Sequence, residues 1–214
     1  MGSSHRNEMQ EIVANLRHLM HHSDQISEEG FRELINKIVA PLGSIGWEFG
    51  PDPEDSKRMI LSFACKANRD ELALRARQLR LPIKEKKWSI VAGIPPRDWE
   101  KYFEIVRDSG RRVKVEAGTW YWHSSSKALP KVLNLAIPEG LRLNDDLLRE
   151  AVFIFLTGEL GEGNFAKFVQ LGEVSRFSGR PPSTFQSINT LRKQFVQWAP
   201  NAEYGRFLRA RSRE

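Results

Sequence analysis

The chain has 214 residues and a formal net charge of +6, with 40% apolar and 28% charged residues, a balance that fits a globular protein of one large or two small domains. A single cysteine, Cys65, excludes an internal disulfide and a multi-cysteine zinc site, and no apolar run approaches the roughly twenty residues that a membrane crossing needs. The opening MGSSHRNEMQ has no apolar core after its charge, so no secretory signal is read, the expected compartment is the cytoplasm, and MGSSH has the character of an expression-vector remnant.

Met9, Ile12, Val13, Leu16, Leu19 and Met20 recur at helical spacing, which predicts an amphipathic N-terminal helix within residues 1–25. His18 and His22 lie four apart on its polar side, but no carboxylate completes a zinc-peptidase pattern, and a solvated face is expected in place of a metal site. A second helix is predicted after Ser27, with Glu28 and Glu29 in its first turn, Phe31, Leu34, Ile35, Ile38 and Val39 on one side, and Pro41 at its end. An internal echo follows. Helix, Pro41, a short loop and Trp47 recur as a helix from Asn68, then Pro82 and Trp88, so a duplicated helix-strand unit is expected. Between the copies, the turn chemistry of Pro51 to Asp55 makes Trp47 to Cys65 read as a hairpin.

After Pro95-Pro96, the apolar spacing of Trp99, Tyr102, Phe103 and Ile105 predicts a short helix over Asp98 to Val106. Arg112 to Glu116 alternates as a strand, Thr119 to His123 follows a Gly118 turn, and Val132 to Ile137 makes a further strand before Pro138. Alternation in Trp120-Tyr121-Trp122-His123 buries the tryptophans and turns Tyr121 and His123 to the other face, where rings are available to a partner. The most apolar helical signal is NDDLLREAVFIFLTGELGE: Asn144 caps it, Asp145 and Asp146 suit the helix dipole, and Leu147 to Leu156 cover most of the circumference, so a buried helix stopped by Thr157-Gly158 is expected. Beyond it, Phe165, Phe168 and Val169 suggest a short helical turn, Val174 an edge strand, and Ser183 the cap of a last helix bearing Phe185, Ile188, Leu191, Phe195 and Trp198. Residues 26–200 read as a single α+β domain with a mainly antiparallel mixed sheet and helices packed on it, followed by a mobile arginine-rich tail over 201–214.

No complete catalytic set emerges. Thr157 to Gly163 is rich in glycine but follows the negative end of a helix and carries Glu159 and Glu162 where an anion would sit, so it is a poor phosphate loop. Those glutamates are candidates for gripping a basic partner or for acid-base work, and a structural role in accepting backbone or arginine hydrogen bonds weighs more than catalysis. Ser124-Ser125-Ser126-Lys127 has an S-x-x-K spacing without its companion motifs and reads as a polar loop, and His123 with Asp98 is a dyad only if folding joins them. The charge is concentrated late: residues 172–214 carry eight basic groups against Glu173, Glu203 and Glu214, with Arg206, Arg209, Arg211 and Arg213 available to phosphates, as Lys84 to Lys87 also are.

The junctions APLGSIGWEF and LPIKEKKWSI, the stretch IPEGLRLNDDLLREAVFIFLTGELGEG and the following QLGEV together resemble a family of uncharacterised bacterial proteins classed as a domain of unknown function, over roughly residues 28 to 176. The family's leucine-glycine-glutamate triplet and later glycine-glutamate pair fall here on Leu160-Gly161-Glu162 and Gly172-Glu173, while the N-terminal helix and the arginine-rich tail depart from it. The resemblance implies a cytoplasmic bacterial α+β domain with no activity to carry over, and the occurrence of some relatives beside nuclease regulators or inhibitors implies a binding role. The expectation is therefore a non-enzymatic module that binds another protein through Glu159, Glu162, Glu173, Tyr121 and His123, with no cofactor. The alternatives are an accessory protein for nucleic acid and a hydrolase using the glutamates with His123.

Overall fold

A computed structural model describes residues 14–15, 22, 25–39, 46–64, 88–107 and 109–211. The helices predicted over Met9 to Met20 and from Asn68, together with Cys65, Lys84 to Lys87 and Arg213, lie outside the described residues apart from a helical fragment at 14–15. The chain divides into two compact units, Met1–Ile94 and Pro95–Glu214, with the boundary inside residues 26–200, the span read from the sequence as one domain.

In the first unit, α1 (Glu28–Val39) starts where predicted, because the Ser27 hydroxyl accepts from the Gly30 amide at 3.2 Å and frees the first turn of an orphan donor. Phe31 carries the helix onto a sheet, its ring centroid 5.4 Å from Phe49 and 6.5 Å from Trp47, and Trp47 Nε1 donates to Asn36 at 2.7 Å. Strands β1 (Trp47–Asp52) and β2 (Asp55–Phe63) form the predicted hairpin, in antiparallel register. Strand β3 (Trp88–Ala92) pairs with β2 in parallel, so the two strands opened by tryptophan flank β2 on either side.

The second unit departs from expectation at its first element. Asp98 to Val106 is not a helix: β4 (Tyr102–Val106) pairs antiparallel with β5 (Arg112–Glu116). Tyr, Phe, Ile and Val favour a pleated backbone, and Lys101 sits in the left-handed region at φ 58, which no right-handed helix passes through. The turn closes through Gly110, at φ 76, whose amide donates to the Arg107 carbonyl at 2.8 Å while the Arg107 amide donates to the Arg111 carbonyl at 2.9 Å.

Strands β6 (Tyr121–Ser124) and β7 (Lys131–Pro138) are antiparallel, and α2 (Asp145–Leu160) and α3 (Glu162–Phe168) then carry the chain back to β8 (Val169–Phe177), parallel to β7. The short β9 (Gln186–Ser187) pairs with β6, giving the order β8-β7-β6-β9 and leaving β8, with Val174, at an edge as predicted. The result is an α+β fold rich in antiparallel pairs, with parallel pairs at β2–β3 and β7–β8. Trp120 and Trp122 are buried as their alternation predicts, Trp120 against Phe155 (5.4 Å) and Trp122 against Trp198 (5.3 Å).

Three boundaries differ from the sequence expectation. Helix α2 keeps its Asn144 cap, whose Oδ1 accepts from the Leu147 amide at 2.9 Å, but it runs through Thr157-Gly158 to Leu160, and Gly161 at φ 85 is the capping residue. Its burial is one-sided until the last turn: Leu148, Ala151, Val152 and Phe155 are buried while Phe153 and Ile154 are half-buried. Ser183 caps no helix, since β9 and a single 3-10 turn (Ile188–Thr190) precede α4 (Leu191–Trp198). As far as Arg211 the tail is not loose either, because α5 (Gly205–Arg211) buries Leu208 completely. No described helix is long and apolar enough to cross a membrane.

Candidate functional site

The carboxyl end of α2 is the most polar buried place among the described residues of the second unit. A helix leaves its last four carbonyls without intrahelical partners, and burying them unpaired would cost about 1–3 kcal/mol each. Here each finds a donor. Thr157 O accepts from the Gly161 amide (2.8 Å), Gly158 O from the Arg97 amide (2.7 Å), Glu159 O from Arg192 Nε (3.1 Å) and Leu160 O from Asn164 Nδ2 (2.8 Å). Asn164 also joins the C-terminal segment, its Nδ2 donating to Glu203 O and its Oδ1 accepting from the Glu203 amide, both at 2.8 Å.

Glu159 is 1% exposed inside this junction. Its Oε2 accepts from Arg192 Nη2 at 3.2 Å and from Trp99 Nε1 at 3.4 Å, and Lys101 Nζ lies 4.0 Å from Oε1. The same Arg192 Nη2 donates to Arg97 O at 3.0 Å, and its guanidinium carbon lies 5.5 Å from the centre of the Phe207 ring. A cation on the last carbonyls of a helix is favoured by the helix dipole, and a buried carboxylate held by two donors is compensated. Burial also lowers the pKa of Arg97, whose guanidinium lies 5.5 Å from the Trp99 ring centre. Gly158 is there for proximity, not as a helix stop: a Cβ would fall 2.5 Å from Trp99 Cζ2. One group stays unpaired, the buried hydroxyl of Thr157.

The other predicted residues are dispersed. Glu162 is 3% exposed in the first turn of α3, where the helix dipole favours its charge, and Glu173 is exposed on the edge strand β8. Tyr121 and His123 are half-buried on the face of β6 opposite Trp122, the first against Phe177 (5.6 Å) and the second against Phe185 (5.7 Å). Asn134 stands opposite His123 at a break in the β7–β8 register, and its Oδ1 accepts from the Glu173 amide at 2.8 Å. Gly172 makes that bond possible, since a Cβ there would lie 2.3 Å from Asn134 Oδ1. Folding thus brings His123, Asn134 and the Glu173 backbone together and puts Glu159 into a different, buried set of contacts.

His123 and Asp98 form no dyad: Asp98 pairs with Arg211, and no hydrogen bond or ion pair joins it to the histidine. Ser124 Oγ donates to Ser126 O at 3.2 Å, and the lysine that reaches this loop is Lys131, on Ser126 O and Lys127 O, so the S-x-x-K spacing belongs to a closed polar loop. Among the described residues no group of three or more His, Cys, Asp or Glu is placed to hold a metal ion. Of the four tail arginines, Arg211 pairs with Asp98, Arg206 and Arg209 are exposed on α5, and Arg213 is outside the described residues.

Arg192 escaped the sequence reading although its position held a signal. Ile188, Leu191, Arg192 and Phe195 fall on one helical stripe, so an arginine occupied a core position and required a buried acceptor. Comparison of the chain with family models, with curated proteins and with solved structures gives no match.

Proposed function

We propose that the chain is a non-enzymatic, cytoplasmic binding module that presents the Tyr121–His123 face of its four-stranded sheet to another protein. The observation that carries this reading is the commitment of Glu159 to the buried junction at the end of α2, which leaves that carboxylate no access to a substrate. A group that must exchange protons with a reactant needs hydrogen-bond reach to it, and Glu159 is closed in by Arg192, Trp99 and Lys101. The aromatic row of Tyr121, His123, Phe177 and Phe185, with Asn134 and the exposed Glu173 beside it, has the composition of a recognition surface, in which rings supply area at low entropic cost and polar groups supply orientation.

The test is capture by the tagged full-length protein from nuclease-treated extract of its own organism at physiological salt, compared with Glu173→Lys and with Tyr121→Ser/His123→Ser. A stoichiometric protein partner should be retained by the parent chain and lost by the charge reversal, whose exposed position spares the fold. Retention of nothing, or equal retention by all three chains, contradicts the proposal. Capture that occurs only when the nuclease is omitted favours the nucleic-acid alternative.

A further inference from the structure

The sheet that carries Tyr121 and His123 ends on two unlike edges. β9 offers two residues, whereas β8 offers nine, Val169–Phe177, with no proline and no lysine to blunt it. From Gln170 to Phe177 every residue of β8 is exposed or half-buried, and among the described residues no strand lies on its outer side. The main-chain N–H and C=O groups that such an edge turns outward are matched by another extended chain.

The edge is regular beyond its middle. Gly172 and Glu173 together face Asn134, which makes a bulge, but from Val174 to Phe177 the register against Leu135 to Pro138 is unbroken. The bond from the Glu173 amide to Asn134 Oδ1 locks the bulge, and the Glu173 carboxylate is left exposed, with no hydrogen bond or ion pair to the described residues. Glu173, Ser175 and Phe177 follow the two-residue period of a strand, and Phe177 meets the Tyr121 ring edge-on at 5.6 Å. An unpaired anion and an aromatic ring that continues the Tyr121 face therefore stand four residues apart along β8. A second copy of β8 does not complement them. Its one basic residue, Arg176, is held by Leu141 O and Leu143 O, so self-pairing brings no cation to Glu173.

We infer that β8 binds an extended segment of the partner protein by strand addition, with a lysine or arginine of that segment against Glu173 and an apolar side chain four residues away against Phe177. Main-chain bonds along Val174–Phe177 supply the attachment, and the two cross-strand side-chain pairs supply the choice of sequence. The inference rests on the protein-binding reading of the Tyr121–His123 face and names how that partner is held.

A random dodecapeptide library displayed on phage and selected against the full chain supplies probes without the host partner. Enriched peptides should alternate and carry a basic and an apolar residue four positions apart. A synthetic peptide of that sequence, at ten times its dissociation constant, should slow hydrogen exchange of amides within Val174–Phe177 about tenfold. Glu173→Lys should weaken it about fivefold or more without changing the melting temperature, and replacing the peptide's basic residue by glutamate should restore binding to that variant. Enrichment of no peptide, protection confined to other amides, indifference to the charge exchange, or a dimer protected at β8 would overturn the inference. Capture of a host protein whose complex leaves the β8 amides unprotected would overturn it too, while the protein-binding reading stands; failure of that capture with β8-protecting peptides in hand would count against the reading alone.

Discussion

At the scale of single residues, the end of α2 sets opposing effects against each other in ways that can be measured. Replacing Gly158 by alanine raises helix propensity by about 1 kcal/mol, yet the new Cβ would press on a Trp99 ring that is itself stacked with Phe103 (5.7 Å) and Phe155 (6.3 Å). Overpacking against so fixed a ring costs about 1–3 kcal/mol, so Gly158→Ala should lower the melting temperature; a rise would show that Trp99 yields. Thr157 gives the opposite sign. Its hydroxyl is buried and unpaired, so the nearly isosteric Thr157→Val should stabilise the protein by about 1 kcal/mol in urea denaturation, and a loss would mean that the hydroxyl has a partner. Both glycine and threonine were legible as residues near a helix end. What could not be read is the ring that sits over Gly158, because Trp99 lies 59 positions earlier in the chain.

At the scale of elements, the features that sequence revealed are those written locally. Ser27 and Asn144 cap the helices they precede, the alternation of Trp120 to His123 sorts buried from half-buried rings, and proline and glycine bound the hairpins. Elements decided by distant partners were misread. The residues of β4 carry apolar spacing compatible with either a helix or a strand, and pairing with β5 settles the matter. The arginine-rich tail has too little apolar content to hold itself, and what orders it is the pocket for Leu208, the Asn164–Glu203 bonds and the Arg211–Asp98 pair. Leu208→Asp should therefore cost about 2–4 kcal/mol or more in chemical denaturation, the range for losing a buried leucine. Unchanged stability would restore the mobile tail.

At the scale of the whole molecule, the sequence conveyed the α+β class and favoured a structural role for the carboxylates after the long helix, but not the arginine that would hold one of them. Glu159 became a structural residue only once Arg192, 33 positions later, was placed against it. The proposed function accordingly rests on a surface, the Tyr121–His123 face, and not on the buried turn. All of this depends on the Glu159–Arg192 pair serving the fold. Removing one member of a buried pair strands a charge and costs about 3–5 kcal/mol, whereas replacing both by apolar residues of similar volume is often neutral or stabilising. The measurement is the urea unfolding free energy of Arg192→Met and of the Glu159→Met/Arg192→Met double variant. A structural pair predicts a large loss in the single variant and a smaller one in the double, which no longer strands a charge but still leaves Glu159 O and Arg97 O without the Arg192 donors, with protein partner capture retained by the double. A pair kept for chemistry would leave the single variant as stable as the parent chain, or more stable, and that result would contradict the account.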